Sequence, residues 1–226
     1  MHELEDPRAT TRFICDVTAS KLEAGTDVDS CRSLVAKADA RFEMTFAHLK
    51  QQGAAIACKA GCSFCCHLRV SVAPHEAIAL FRHLQSEIPA SLAGEIEQRI
   101  LENADHIARM SEQQHLSTNV KCAFLVNGSC SAYRVRPMAC ALHHSLDVNA
   151  CERLFENPAD HSIGIRRLKV IEQMRGATKA GLSQALDKLG LSGEAVELHT
   201  AVAAILRDRS LISRWRSGRS LLKSAP

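Results

Sequence analysis

The spacing of the cysteines constrains this chain more than any other feature. Seven of the ten fall into two tight knots. The first is Cys58-x3-Cys62-x2-Cys65-Cys66, within "CKAGCSFCC". The second is Cys122-x7-Cys130-x9-Cys140, within "CAFLVNGSCSAYRVRPMAC", and Cys151 follows it. Thiolates two or three residues apart in a turn-rich segment can converge on one soft cation, as they do in zinc and iron–sulfur sites. Cys58, Cys62, Cys65, Cys66, Cys122, Cys130, Cys140 and Cys151 are therefore the expected metal ligands. Disulfides or scattered buried thiols are the competing explanation.

Composition sets the frame for those knots. A chain of 226 residues with 46% hydrophobic and 23% charged residues can bury one core. We read 1–226 as a single domain: N-terminal helices over 8–53, a cysteine-cluster core over 54–158, and C-terminal helices with a basic tail over 159–226. The net charge of +3 creates no global field for nucleic acid or a membrane surface. One Trp and one Tyr argue against stacked-base recognition. Arg207, Arg209, Arg214, Arg216, Arg219 and Lys223 crowd the C-terminal end, where they read as a solvated helix end. The expected partner is a metal ion; no protein partner is specified, and neither nucleic acid nor membrane is expected. Met1 to Thr11 is charged and lacks the apolar run of a secretory signal. A cytoplasmic location is expected, where glutathione keeps thiols reduced and favours metal thiolates over disulfides.

Hydrophobic periodicity predicts a mainly α fold: a helical bundle around an irregular cysteine-rich centre, with at most a short β-hairpin. A first helix is expected near Arg8 to Glu23, stopped by Gly25. Leu34, Val35, Ala38, Phe42, Phe46 and Leu49 form the apolar stripe of a second, ending near Gly53. "HLRVSVAP" reads as a short extended stretch. Pro74 then suits the first turn of a helix that buries Ile78, Phe81 and Leu84, with Glu76 complementing its positive end. Leu92, Ile96, Ile100, Ala104, Ile107 and Met110 keep helical register after Pro89. These two helices are expected to form an antiparallel pair that returns the second knot to the first. An irregular segment closed by Pro158 should precede two more helices, Ile165 to Leu189 and Glu194 to Trp215.

Within the knots, two conflicts stand out. Cys65 and Cys66 are adjacent, and in extended chain their side chains would point to opposite sides. Asn127-Gly128 predicts a two-residue hairpin pairing Leu125 with Cys130, and that register would put Cys122 and Cys130 on opposite faces of the ribbon. Pro137 should open a helix that carries Cys140 in its first turn, where the dipole favours a thiolate. Arg134 and Arg136 could balance thiolate charge. His67, His143 and His144 are further candidate ligands, more in keeping with surface or supporting roles. Cys15 and Cys31 lie on the N-terminal helices and read as small buried thiols. Eight thiols exceed one tetrahedral site, which leaves one four-iron cluster with spare cysteines, one zinc with spares, or two separate metals.

The elements "CKAGCSFCC", "CAFL", "GSCSAYRVRPMAC" and "HSLDVNAC" together resemble the YkgJ-type cysteine-cluster proteins, described as zinc- or iron-chelating. The resemblance runs from Cys58 to Cys151 and implies metal binding. It departs from the family pattern at Ala123, where Pro is common, and at Ala141, where Arg is common. Flagellin lysine methylases are distantly similar, which would imply an iron–sulfur protein with a redox or protein-modifying role. No Gly-rich cofactor loop, Ser-His-Asp order or paired-acid constellation supports a catalytic assignment. Three functions remain open: chelation of zinc or iron, an iron–sulfur enzyme, and an interaction module stapled by a structural metal.

Overall fold

The two N-terminal helices form where the apolar stripes place them, in a computed structural model that describes residues 7–24 and 27–222. Helix α1 spans Pro7–Ala24 and α2 spans Val28–Gln51. Asp27 caps α2, its Oδ1 accepting from the amides of Asp29 (2.8 Å) and Ser30 (3.0 Å). Beyond α2 the chain turns off at Gly53. The expected stop at Gly25, the chain before Pro7 and Lys223 of the basic tail lie outside the described residues.

After the first knot, strand β1 (Ser71–Val72) leads into α3 (Pro74–Ser86). Pro74 sits in the first turn, where its missing N–H costs nothing, and Ile78, Phe81 and Leu84 are buried as expected. Helix α4 (Ala90–Ile107) buries Ile96, Ile100, Ala104 and Ile107. A short α5 (Glu112–Leu116) follows, then the hairpin of β2 (Leu125–Val126) and β3 (Ser129–Cys130). Short helix α6 (Met138–Ala141) opens directly after Pro137.

The stretch around Cys151 is helical rather than irregular. Helix α7 (Val148–Glu156) is started by Asp147, whose Oδ1 accepts from the amides of Asn149 (2.9 Å) and Ala150 (3.3 Å). Helix α8 (Lys169–Lys188) packs along α1. The single C-terminal helix expected from Glu194 is instead three pieces. Strand β4 (Val196–Glu197) pairs antiparallel with β1, then come α9 (Leu198–Arg207) and α10 (Ser210–Arg216). The break falls at Asp208, which leaves the helical region (φ −146°, ψ 95°) and accepts at Oδ1 from the Ser210 amide, 2.9 Å away.

Helix α9 lies at the middle of the main core. It packs against both α3 and α4, which touch each other only lightly, so the expected antiparallel pair is a three-helix arrangement with α9 between. Buried side chains of α2, α3, α4, α9 and α10 share this core, with Trp215 fully enclosed and its Nε1 donating to the Ser192 carbonyl (2.8 Å). A second, smaller core of Phe42, Ala141, Leu142, Ile171 and Met174 joins α2, α6 and α8. No helix among the described residues is long and apolar enough to cross a membrane.

Candidate metal centre

The adjacent cysteines do not sit on extended chain. Phe64–His67 forms a single 3-10 turn, with Cys66 N donating to Ser63 O (3.0 Å) and Leu68 N to Cys65 O (3.3 Å). Successive side chains in such a turn differ in direction by about 120°, so neighbouring sulfurs can meet. Cys65 and Cys66 act on each other's acidity, Cys65 being pushed up and Cys66 lowered.

The hairpin conflict dissolves for a similar local reason. Asn127 (φ 48°) and Gly128 (φ 76°) both adopt positive φ, the two-residue turn that Asn-Gly favours, and Leu125 pairs with Cys130 as expected. Strand parity, however, stops at Leu125. Cys122 lies outside the ladder, in a turn closed by Leu125 N on Cys122 O (3.0 Å), so alternation does not dictate where its thiol points. Cys140 rides on α6 and Cys151 on α7.

Backbone hydrogen bonds draw these segments together. Cys122 N donates to Cys66 O (2.8 Å) and Val120 N to His67 O (3.0 Å), which lays the second knot directly against the first. On the other flank, Ala57 N donates to Ser145 O (2.9 Å), docking the start of the first knot on the loop before α7. Phe155 of α7 meets Phe64 at a tilt (5.7 Å between centroids) and His67 edge-on (4.8 Å). Cys65, His143 and Cys151 line one small cavity with Phe64, Phe155 and Leu154. All eight candidate cysteines are free and partly buried.

Burial dominates their acid–base behaviour. It raises Cys58, pushes Cys122 to about 12 and Cys130 to about 11, and lifts Cys140 well above an ordinary thiol. The negative charge each neighbouring thiolate would carry adds to the rise. The expected helix-start advantage at Cys140 is thus outweighed by desolvation. Cys66 moves the other way, under the influence of the adjacent Cys65 side chain and of nearby Arg136.

Arg136 is not a free counter-charge. Its Nη2 bonds Asp39 Oδ1 (2.9 Å) and Glu43 Oε1, and its guanidinium lies over the Tyr133 ring at 3.8 Å. Burial still raises Asp39 to about 6 despite that partner. A cluster of mutually repelling soft donors with so little positive charge suits a thiophilic dication, which would reverse the local bias toward the protonated form. Among the described residues, no group of three or more His, Cys, Asp or Glu side chains forms a ready-made ion-holding set.

The remaining candidates fall into place individually. His144 is fully buried and both nitrogens are engaged: Leu168 N donates to Nε2 (2.7 Å), leaving Nδ1–H for Leu142 O (3.3 Å). It braces α6 against the start of α8. His67 contacts Ser63 O through Nδ1 (3.1 Å). Arg134 is exposed. Cys31 is buried in the main core, and Cys15 is buried on α1 with Lys188 Nζ at 3.5 Å from its sulfur.

One supporting pair escaped the sequence reading. Ala123 N donates to His199 Nε2 (3.2 Å), and His199 Nδ1 in turn bonds Glu197 Oε1 (2.9 Å), all buried. The signal was the departure at Ala123 itself, since Pro there would have no amide hydrogen to donate. The departure at Ala141 has an equally direct cause: its side chain is buried in the small core beside Phe42 and Leu142, where an Arg would have no outlet.

The fold and the site define a helical protein wrapped around a centre of free, partly buried thiols. Residues 57–161 match the profile of the CxxCxxCC family, described as "Putative zinc- or iron-chelating domain". The match covers this central segment, corresponds to the YkgJ-type resemblance of the sequence, and supports metal binding by the chain. No curated protein and no solved structure matches the chain.

Proposed function

We propose that this chain is a cytoplasmic thiolate metal protein that holds zinc or iron through Cys58, Cys62, Cys65, Cys66, Cys122, Cys130, Cys140 and Cys151, as a chelating or structural centre. One observation carries the reading. The Cys66–Cys122 backbone bond brings both knots to one place while every thiol there stays free. Binding would displace protons from thiols that burial keeps protonated, so affinity should rise with pH.

The test is anaerobic purification of the full chain followed by elemental analysis. Stoichiometric zinc in a colourless protein supports chelation; iron with acid-labile sulfide in a brown one assigns an iron–sulfur centre. Cys62→Ala and Cys140→Ala should each lose metal and melt at lower temperature, because site formation and folding are linked. Full metal content in both variants would overturn the proposal.

A further inference from the structure

We infer that the cavity among α1, α2, α3 and α8 is a binding site for one internal water molecule, held between Nδ1 of His75 on α3 and Oγ1 of Thr178 on α8. The site lies apart from the thiols and does not depend on metal binding.

Two polar atoms carry the inference. His75 and Thr178 are each 1% exposed, and neither His75 Nδ1 nor Thr178 Oγ1 has a hydrogen-bond partner in the protein. A buried polar group without a partner is costly, and native interiors rarely leave one so. Here both residues line a single cavity. Its volume of about 20 Å³ exceeds the roughly 10–15 Å³ that one water requires. An organic ligand needs a pocket more than ten times larger, on the order of 300 Å³ or above.

The rest of the lining favours a neutral molecule over an ion. Ile14, Leu34, Val35, Ala38, Phe42 and Leu182 make much of the wall apolar. The two charged groups in the lining are already committed. Arg136 bonds Asp39 and Glu43, while Glu76 accepts from the amides of Ala73 and Met138. An ion would lose its hydration there without gaining a free counter-charge.

Water also suits the chemistry of both unpartnered atoms. Imidazole Nδ1 donates or accepts according to tautomer, and a threonine hydroxyl rotates to do either. Water does both, so it complements each combination. A second lone pair on a Glu76 oxygen offers a third partner, the usual number for an enclosed water. The placement has an architectural meaning. Helix α8 packs along α1 and α3 along α2, and the water joins α3 to α8 directly. Met138, which begins α6, lines the same cavity, so this link lies behind the helix that carries Cys140.

NMR of the isotope-labelled full-length chain tests the site. Cross-relaxation from water to the Thr178 methyl group and to the His75 ring proton beside Nδ1 should carry the sign of a water held longer than the protein takes to tumble. Thr178→Val removes the hydroxyl and should lose the His75 signal, whereas Thr178→Ser restores the hydroxyl and should keep it. A crystal structure should show one water within about 3.2 Å of both atoms. A dry cavity, a direct bond between His75 and Thr178, or an undiminished His75 signal in folded Thr178→Val would overturn the inference. If Thr178→Val fails to fold, the two wild-type signals decide: both present supports the site, and either one absent overturns it.

Discussion

Glu76 is tied to Met138 across the molecule: the amide that begins α6 donates to Glu76 Oε1 at 2.7 Å, and Glu76 Oε2 accepts from Ala73 N at 2.8 Å. One buried carboxylate therefore caps its own helix and fixes the helix that carries Cys140. Glu76→Ala leaves two backbone donors without partners and should cost about 2–3 kcal/mol, with Glu76→Gln costing less because its amide oxygen can still accept. Urea denaturation of the two variants checks the order; equal stability of Glu76→Ala and wild type would remove the role assigned to this residue.

The bond from Ala123 to His199 should appear as coupling. Ala123→Pro deletes the donor and His199→Leu the acceptor, and each should destabilise by about 1–3 kcal/mol. The double variant should cost less than the sum, since both remove one interaction. Strict additivity in a double-mutant cycle would show that the two residues act independently.

Cys15 and Cys31 are expected to pack helices rather than hold metal. The Cys15→Ala, Cys31→Ala double variant should keep the wild-type metal content and lose about 1–2 kcal/mol of stability from the emptied space. Reduced metal stoichiometry would extend the site into α1 and α2.

His75 supplies a pH dependence. It is fully buried, its Nδ1 has no protein partner, and burial lowers its pKa to about 4 from an ordinary value of 6.5. The unfolded chain therefore binds the proton more readily between those values. The neutral imidazole contributes its stability above pH 6.5, and that contribution is lost as pH falls toward about 4, by up to about 3 kcal/mol. His75→Gln should show a shallower fall over this window than wild type in parallel thermal melts. Identical slopes would mean that bulk solvent reaches His75 in the folded protein.

Where structure depended on neighbours in sequence, it was legible. Pro74, the Asn127-Gly128 turn and the apolar stripe from Leu34 each carry their own geometry, and each forms as read. The gathering of cysteines into one region was legible too. What escaped depends on distant partners. Strand β4 exists because Val196 and Glu197 meet β1, which no local pattern announces. Asp39 sits on the buried face of α2 because Arg136 reaches it from the second knot. Helix α7 is too short for periodicity to reveal, although its Asp147 cap was there to be seen. The extended-chain argument about Cys65 and Cys66 failed because a 3-10 turn replaces the geometry it assumed.

The ladder between β1 and β4 has a consequence for how this chain can be divided. Its two strands lie on opposite sides of the boundary at residue 161, as do Val70 and Leu198, whose backbones bond at 2.9 Å beside it. On the other flank, Lys50 and Asp39 reach across the boundary at residue 57 to Cys58 and Arg136. The stretch that heredity marks as a unit is therefore not the stretch that physics would hold together. Excised at its own borders, it would leave α3 and α4 without the helix they both rest on, and Arg136 with no acid to hold it.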